Sequence, residues 1–388
     1  MNEEILWLAV TPTPYNNFLF DSIWKQRPGS LRVLFSSRGI PDGTWDPPKP
    51  LPSWWGGYYG GGRPNFNIVR KVMRSQATFT VVAGWNDWTR RIALVALFLF
   101  RKPYIIWTDT PHCTATTKHK VRNFVVRQLA GRAVAVMGTG RTGVDALRAM
   151  GVPSDKIVNF PYWVPLPTKV SYGTKSPETV RFCCIGRLVR QKNFSCAIQA
   201  LALIREGSAR LDIIGSGPEL ETLKGIAKQK GVEKQVRFVG FLDNMGVARY
   251  LRDESDCLIL PSAGPDAFGV VIAEAMAFGL PVIGSQLCGA AVDRINDSEN
   301  GFLLPTPVTA ELLAERMREF VRDPGKISTM GRAARRTAEE WPVERGIQTL
   351  LNLTPLRQRV KVGSGRVASQ ADRPASVVPR RTGEIDAR

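Results

Sequence analysis

The chain is poor in the residue types that build metal sites and disulfide frameworks. It has 2 histidines and 6 cysteines among 388 residues, and no two cysteines form a CxxC pair. This spacing argues against a structural zinc site. Because the cysteines lie mostly in apolar segments, we expect free, buried thiols in a reducing compartment and no disulfides.

Long apolar runs are also missing. The longest aliphatic run, 92–100, is much shorter than the ~20 residues that a membrane span needs. Two interpretations remain for this run: a core helix with charged ends, or a helix lying at a membrane face. The N-terminus carries acidic Glu3 and Glu4 where a signal peptide would be basic, so we predict a first strand there.

Acidic residues are scarce in two parts of the chain. Residues 1–165 contain 21 Lys and Arg against 9 Asp and Glu, a balance of +12. Residues 166–355 are nearly balanced, with 24 against 22, and residues 356–388 contain 8 against 3. This asymmetry predicts an anionic partner, which could be a membrane surface, a pyrophosphate-bearing substrate or nucleic acid.

Short β-rich runs alternate with helix-like segments along most of the chain, which predicts a doubly wound α/β fold with parallel sheets. We predict one domain over residues 1–165 and a second over 166–355, with its last helices able to cross back to the first. Residues 356–388 lack apolar periodicity and predict a disordered tail. We interpret 41–67 as a long loop and 159–179 as a linker.

Several turns between a strand and a helix in the second half carry candidate ligand-binding groups. Arg187 and Lys192 follow a strand and could grip two phosphate groups, although basic loop residues are often only solvated. The glycine-rich turn at Gly215 could bind an anion or allow close packing. It matches neither the dinucleotide fingerprint nor a Walker loop.

The segment PDAFGVVIAEAMAFGLPVI places a carboxylate inside an apolar helix. Asp266 is predicted to be the helix N-cap, which would leave the N–H groups of residues 268–271 for a diphosphate. Glu274 is the only charged residue from 267 to 279. Because an unpaired buried carboxylate costs several kcal/mol, we expect Glu274 to face a polar ligand.

Taken together, five segments resemble the C-terminal domain of family-4 retaining glycosyltransferases over residues 183–304: GRLVRQKN, IIGSGPELETL, VRFVGFL, LILPSAGPDAFGVVIAEAMAFGLPVIGS and ENGFLL. The resemblance implies the GT-B fold, in which two Rossmann-like domains face each other across a cleft. It also implies that the second domain holds a nucleotide-sugar donor as co-substrate, without a metal or a separate cofactor. The absence of an Asp-x-Asp pair agrees with metal independence.

The resemblance also assigns expected roles to individual positions. Arg187 and Lys192 would clamp the donor phosphates, and Glu274 would bind the donor ribose. The backbone N–H groups of the donor loop, formed by Phe268, Gly269 and Val270, would contact phosphate and sugar. The turn at Gly215 would also lie at the donor. Where the family has the first of two glutamates, this chain has Asp266, whose side chain is one methylene shorter and reaches less far toward the donor sugar.

The first half offers two candidates for the acceptor-side position. In PYIIWTDTPHCT, either Asp109 or His112 could occupy the place where such enzymes often carry a histidine near the reacting carbon. One sequence leaves this choice open.

The expected function is retaining transfer of a sugar from a UDP- or GDP-sugar to a glycan or lipid-linked acceptor. This activity would serve cell-surface polysaccharide, lipopolysaccharide or glycolipid synthesis, in the cytoplasm at the inner face of the plasma membrane. An anionic membrane surface is an expected partner. The alternatives are a nucleotide-sugar epimerase of the same fold and a non-enzymatic basic protein that binds nucleic acid or membranes. The balanced second half argues against nucleic acid.

Overall fold

The computed structural model describes residues 5–37, 48–60, 62–109, 117–170, 172–174, 176, 178–204 and 208–353. These residues form two α/β domains, each built on one parallel sheet. The predicted fold class is therefore confirmed. The calls on His112 and on the tail 356–388 lie outside the described residues.

The first sheet has seven strands in the order β3-β2-β1-β4-β5-β6-β7, and the second has six in the order β10-β9-β8-β11-β12-β13. All neighbouring strands pair in parallel. The strand bounds are β1 Ile5–Ala9, β2 Leu31–Phe35, β3 Trp55–Tyr58, β4 Phe79–Ala83, β5 Tyr104–Thr108, β6 Ala135–Gly138, β7 Ile157–Asn159, β8 Val180–Ile185, β9 Ala209–Ile214, β10 Val236–Gly240, β11 Cys257–Leu260, β12 Val282–Ser285 and β13 Gly301–Leu304.

Helices follow the strands and cover the sheets. Their bounds are α1 Pro14–Gln26, α2 Phe66–Arg74, α3 Trp88–Leu99, α4 Thr117–Arg132, α5 Gly140–Ala149, α6 Phe194–Ala202, α7 Leu220–Gln229, α8 Asn244–Asp253, α9 Val270–Ala277, α10 Gly289–Arg294, α11 Ala310–Arg322, α12 Gly325–Glu339 and α13 Val343–Asn352. Among the described residues, no helix combines the length and apolarity needed to cross a membrane.

The last helix belongs to the core of the first domain. On α13, Val343, Ile347 and Leu350 are buried in the cluster beneath the first sheet. A Cβ atom on Gly346 would lie 2.5 Å from the Trp163 ring, so α13 approaches that ring as closely as glycine allows. The chain therefore crosses from the second domain back to the first.

Two short strands were not predicted. β3 lies inside the segment interpreted as a long loop, and β7 begins just before the predicted linker. Both are edge strands of the first sheet, so each pairs with a single neighbouring strand of that sheet. β3 contains two glycines, which are depleted in strands, so the local pattern did not reveal it.

The cysteine prediction is confirmed for the five cysteines that the structure describes. All are free and buried in the second domain (Cys183, Cys184, Cys196, Cys257 and Cys288). Desolvation raises the pKa of the Cys183 and Cys288 thiols to about 12. These thiols are packing groups and not nucleophiles.

Candidate active site

The carboxyl edges of the two sheets border one cavity of about 450 Å³. Thr11 and Asp109 line it from the first domain, where they follow β1 and β5. Gly186 and Gly215 line it from the second domain at the ends of β8 and β9. This volume lies in the usual range for small-molecule sites, and the edge of parallel strands is where open α/β sheets bind ligands.

The cavity brings together nine of the ten predicted site residues. Its lining contains Asp109, Arg187, Lys192, Gly215, Asp266, Phe268, Gly269, Val270 and Glu274. The tenth, His112, lies outside the described residues. Of the two acceptor-side candidates, Asp109 is therefore the one that the structure describes in the cavity.

Two loops of the second domain are tied together at the cavity. The Lys192 ammonium lies 2.5 Å from the Asp266 carboxylate. The Gln191 side-chain amide donates to the Pro265 carbonyl, and the Ala263 N–H donates to the Gln191 carbonyl at 2.9 Å. Because these contacts hold the two loops together before a ligand binds, the Lys192 ammonium is preorganised.

The prediction that Asp266 caps α9 is wrong. The helix begins at Val270, and its N-cap is Gly269 in the left-handed conformation with φ 74°. A Cβ atom on Gly269 would lie 2.4 Å from the Cys288 sulfur, so the packing requires glycine. Asp266 instead pairs with Cys288 through its backbone. The first turn of α9 thus keeps N–H groups that lack intrahelical partners.

Gly215 is required by backbone packing. Its φ is 136°, and a Cβ atom would lie 1.9 Å from the Gly186 carbonyl oxygen. The ends of β8 and β9 therefore approach each other closely below the cavity floor. This close approach supports close packing, one of the two interpretations offered for this turn.

Glu274 projects from α9 into the cavity wall. Protein surrounds most of its side chain, and this desolvation raises the pKa of the carboxyl to about 7. Part of the side chain remains accessible through the cavity. Among the described residues, no side chain forms an ion pair with it. Its carboxylate is therefore placed to accept a hydrogen bond from a ligand hydroxyl.

Asp109 is held by a tyrosine from the segment that joins the domains. The Tyr162 hydroxyl donates to Asp109 Oδ1 at 2.8 Å. The cavity walls raise the pKa of Asp109 by desolvation, and the hydrogen bond from Tyr162 acts in the opposite direction. Asp109 keeps solvent contact through the cavity, so it can reach a bound ligand.

Tyr162 is the main site residue that sequence reasoning missed. Its ring centroid lies 5.5 Å from that of Phe268 and 4.5 Å from that of Tyr15. The Arg294 guanidinium donates to the Tyr162 carbonyl at 3.0 Å. Tyr162 thus connects Asp109 to Phe268, in the loop before α9 of the second domain. Its position among the aromatics of NFPYW, in a segment interpreted as a linker, was the available signal.

Comparison with known proteins shows that the second domain is similar to a known family. Residues 173–337 match the model described as glycosyl transferases group 1. The second domain is therefore similar to glycosyl transferases group 1, and the resemblance found in the sequence is confirmed at this level. The two facing Rossmann-like domains together form the GT-B fold.

Individual relatives share part of their length with this chain. N-acetyl-alpha-D-glucosaminyl L-malate synthase of Bacillus anthracis is 29% identical over 173 residues, which are 44% of each chain. The amylovoran biosynthesis glycosyltransferase AmsK of Erwinia amylovora is 33% identical over 181 residues, again 44% of each. The chain thus aligns with less than half of the length of these curated relatives.

One solved structure is similar over nearly the whole chain. HepE of Anabaena, solved in complex with UDP, superposes with a TM-score of 0.71 at 18% identity. The match covers 92% of this chain and 100% of that one. At this identity the likeness concerns the fold.

Proposed function

We propose that the protein is a retaining glycosyltransferase that uses a UDP- or GDP-sugar donor and a glycan or lipid-linked acceptor, without a metal. The observation that carries the proposal is the preorganised pairing of Lys192 with Asp266 in the same cavity as the unpaired Glu274. The presence of UDP in the HepE structure supports a nucleoside diphosphate as the shared part of the donor.

The donor side follows from charge and geometry. Arg187 and Lys192 line the cavity beside the first turn of α9, where positive charge favours a diphosphate. Glu274 would accept a hydrogen bond from a hydroxyl of the ribose. Asp266 would hold Lys192 in place, which leaves it a smaller role toward the sugar than its family counterpart.

The transfer step needs a stabilised leaving group more than a strong base. The bond between the sugar C1 and the diphosphate oxygen breaks, and a bond from the acceptor oxygen to C1 forms on the same face. The acceptor proton passes to the leaving phosphate. Arg187, Lys192 and the α9 N-terminus would stabilise the negative charge that develops there, while Asp109 would orient the acceptor hydroxyl.

The acceptor side and the location follow from the basic first domain. Its excess of Lys and Arg favours an anionic acceptor, such as a lipid-linked glycan reached at the cytoplasmic face of the plasma membrane. Cell-surface polysaccharide, lipopolysaccharide or glycolipid synthesis would be the setting.

Donor binding is the first test. In a screen of UDP-, GDP- and ADP-sugars, we expect a UDP- or GDP-sugar to raise the melting temperature, since a ligand at 100 times its Kd adds ~2.7 kcal/mol of stability. EDTA should leave this shift unchanged. If none of these donors shifts the melting curve, the proposal fails.

Turnover separates transfer from epimerisation. Incubation of the bound donor with lipid-linked glycan acceptors should give a product whose anomeric configuration, measured by NMR, matches that of the donor. Conversion of the donor sugar in the absence of any acceptor would instead identify an epimerase.

A further inference from the structure

The outer surface of α3 and α4 exposes large apolar side chains. We name it the α3–α4 face and define it by seven residues that are each 44–71% exposed: Trp88, Val95, Leu99, Phe100, Val121, Phe124 and Val125. The opposite side of each helix is buried against the first sheet, for example at Leu94 and Leu129. The helices are therefore already anchored, and the outer apolar side chains are not needed for the core.

The charges around this face have one sign. Residues 88–108 and 117–132 together contain nine Lys and Arg residues and no Asp or Glu. One of these, Arg90, is buried against Asp87. Two others lie beside exposed or half-buried rings: the Arg91 guanidinium is 5.0 Å from the Trp88 centroid, and that of Arg132 is 4.3 Å from the Phe98 centroid.

We propose that the α3–α4 face docks on the surface of an anionic phospholipid bilayer. The apolar side chains would enter the boundary between headgroups and acyl chains, and the arginines would lie at the lipid phosphates. This pattern of aliphatic and aromatic side chains rimmed by cations is the one that interfacial helices use. The two earlier interpretations of the run 92–100 thus describe opposite sides of one helix.

Other occupants fit the face less well. Two copies of this chain would bring cations against cations across a symmetric contact. Nucleic acid would pair with the arginines, but aliphatic side chains such as Val95, Leu99 and Val121 have no counterpart in a phosphate backbone.

The location of the face relates it to the cavity. α3 and α4 follow β4 and β5, so both begin at the sheet edge that carries Asp109. A domain docked by this face would hold the rim of the cavity close to the bilayer. The inference deepens the proposed function, because it explains how a lipid-linked acceptor would reach the site, but the face itself rests on separate observations.

The test is flotation of the full chain with vesicles of phosphatidylcholine alone and of phosphatidylcholine with phosphatidylglycerol at 3:1. We expect binding only to the mixed vesicles, and weaker binding in high salt. The triple variant Leu99→Ser, Phe100→Ser, Phe124→Ser should lose at least ten-fold in partitioning. The variant Arg91→Gln, Arg101→Gln, Arg127→Gln should lose about five-fold per removed cation.

Matched controls change exposed residues elsewhere. Leu51, Leu203 and Met245 are exposed apolar residues outside the face, and replacing all three by Ser should leave vesicle binding unchanged. Replacing the exposed Lys228, Lys230 and Lys234 of the second domain by Gln should likewise have little effect. Melting curves should show that all variants fold.

Several outcomes would overturn the inference. Failure of the wild-type protein to float with the mixed vesicles would refute it. Flotation of the apolar variant to the same extent as its control would assign the binding to another part, such as the basic tail. Loss of self-association in the apolar variant, measured by sedimentation, would identify an interface between copies. Binding to a DNA oligonucleotide that only the charge variant loses would identify a nucleic-acid face. Vesicle binding by a protein that binds no sugar nucleotide would uphold this inference and refute only the proposed function.

Discussion

The two domains share a topology but present different surfaces to the cavity. In the second domain, ion pairs and hydrogen bonds such as Lys192–Asp266 tie the cavity loops together, and residues 166–355 are nearly balanced in charge. In the first domain, the cavity wall contains Tyr15 and Asp109, while α3 and α4 carry cations without acids. The second domain thus presents polar groups that are held in place by ion pairs and hydrogen bonds, whereas the first domain presents an accessible basic and apolar surface.

This difference teaches how the two substrates would be recognised. A nucleoside diphosphate has the same charges in every donor, so a rigid arrangement of cations and helix N–H groups suits it. Acceptors vary in size and in attachment to lipid, so a broad basic and apolar surface suits them better. The donor side can therefore be concentrated in a few short segments.

The largest expected effect breaks the donor side. Lys192→Ala would remove the proposed phosphate contact and leave Asp266 without its ion pair, so kcat/KM should fall by about 10²–10³-fold, as on removal of one preorganised donor. Steady-state kinetics with the identified donor measure this. Lys228→Ala, an exposed lysine on α7, is the control. A change of only about two-fold would show that the Lys192 ammonium does not contact the phosphates.

The next effect concerns Glu274 and is expected in the free protein. Burial raises the pKa of this carboxyl from 4.5 to about 7, so the folded state holds a proton that the unfolded state releases. The contribution of Glu274 to the free energy of unfolding should therefore be fully present below pH 4.5 and be lost as the pH rises through 7. At pH 8, Glu274→Gln should be more stable by about 2–3 kcal/mol while binding the donor more weakly.

Urea unfolding at pH 5 and pH 8 checks this prediction. The exposed Glu299→Gln variant is the control and should keep the wild-type pH dependence. An unchanged pH dependence in Glu274→Gln would mean that the carboxylate is already solvated or paired in the free protein.

The smallest expected effect concerns the hydrogen bond from Tyr162, in the segment that joins the domains, to Asp109. Tyr162→Phe keeps the ring against Phe268 but removes the hydrogen bond to Asp109. Because that bond lowers the pKa of Asp109, its loss should move the acidic limb of the rate profile to higher pH. We expect kcat at neutral pH to fall about ten-fold, in line with ~1.5 kcal/mol for a hydrogen bond to a charged group.

The pH profile distinguishes positioning from a purely structural role. The control is Tyr172→Phe, at a tyrosine that is 41% exposed. If Tyr162→Phe lowers the melting temperature but leaves the acidic limb in place, Tyr162 supports the fold and does not position Asp109.

Much of the fold was predictable because its signals are local. Buried parallel strands give continuous apolar runs such as VRFCCI, and these were recognised in both domains. β3 could not be recognised, because it is held at the sheet edge by its neighbour and has little strand propensity of its own.

A site residue was predictable where its own sequence segment shows why that residue type is present. Glu274 was identifiable because a lone carboxylate in an apolar helix needs an explanation. Asp266 was misassigned as a helix cap, because its true partners at Lys192 and Cys288 are distant in sequence. Tyr162 was missed for the same reason, since its role depends on Asp109, 53 residues away.

The return of α13 to the first domain has a consequence for biosynthesis. The first domain is made before the second, but its core lacks Ile347 and Leu350 until α13 has left the ribosome. The second domain can complete its sheet earlier, so the order of folding is expected to reverse the order of synthesis. The N-terminal half would then wait, partly formed, for the helix that closes it.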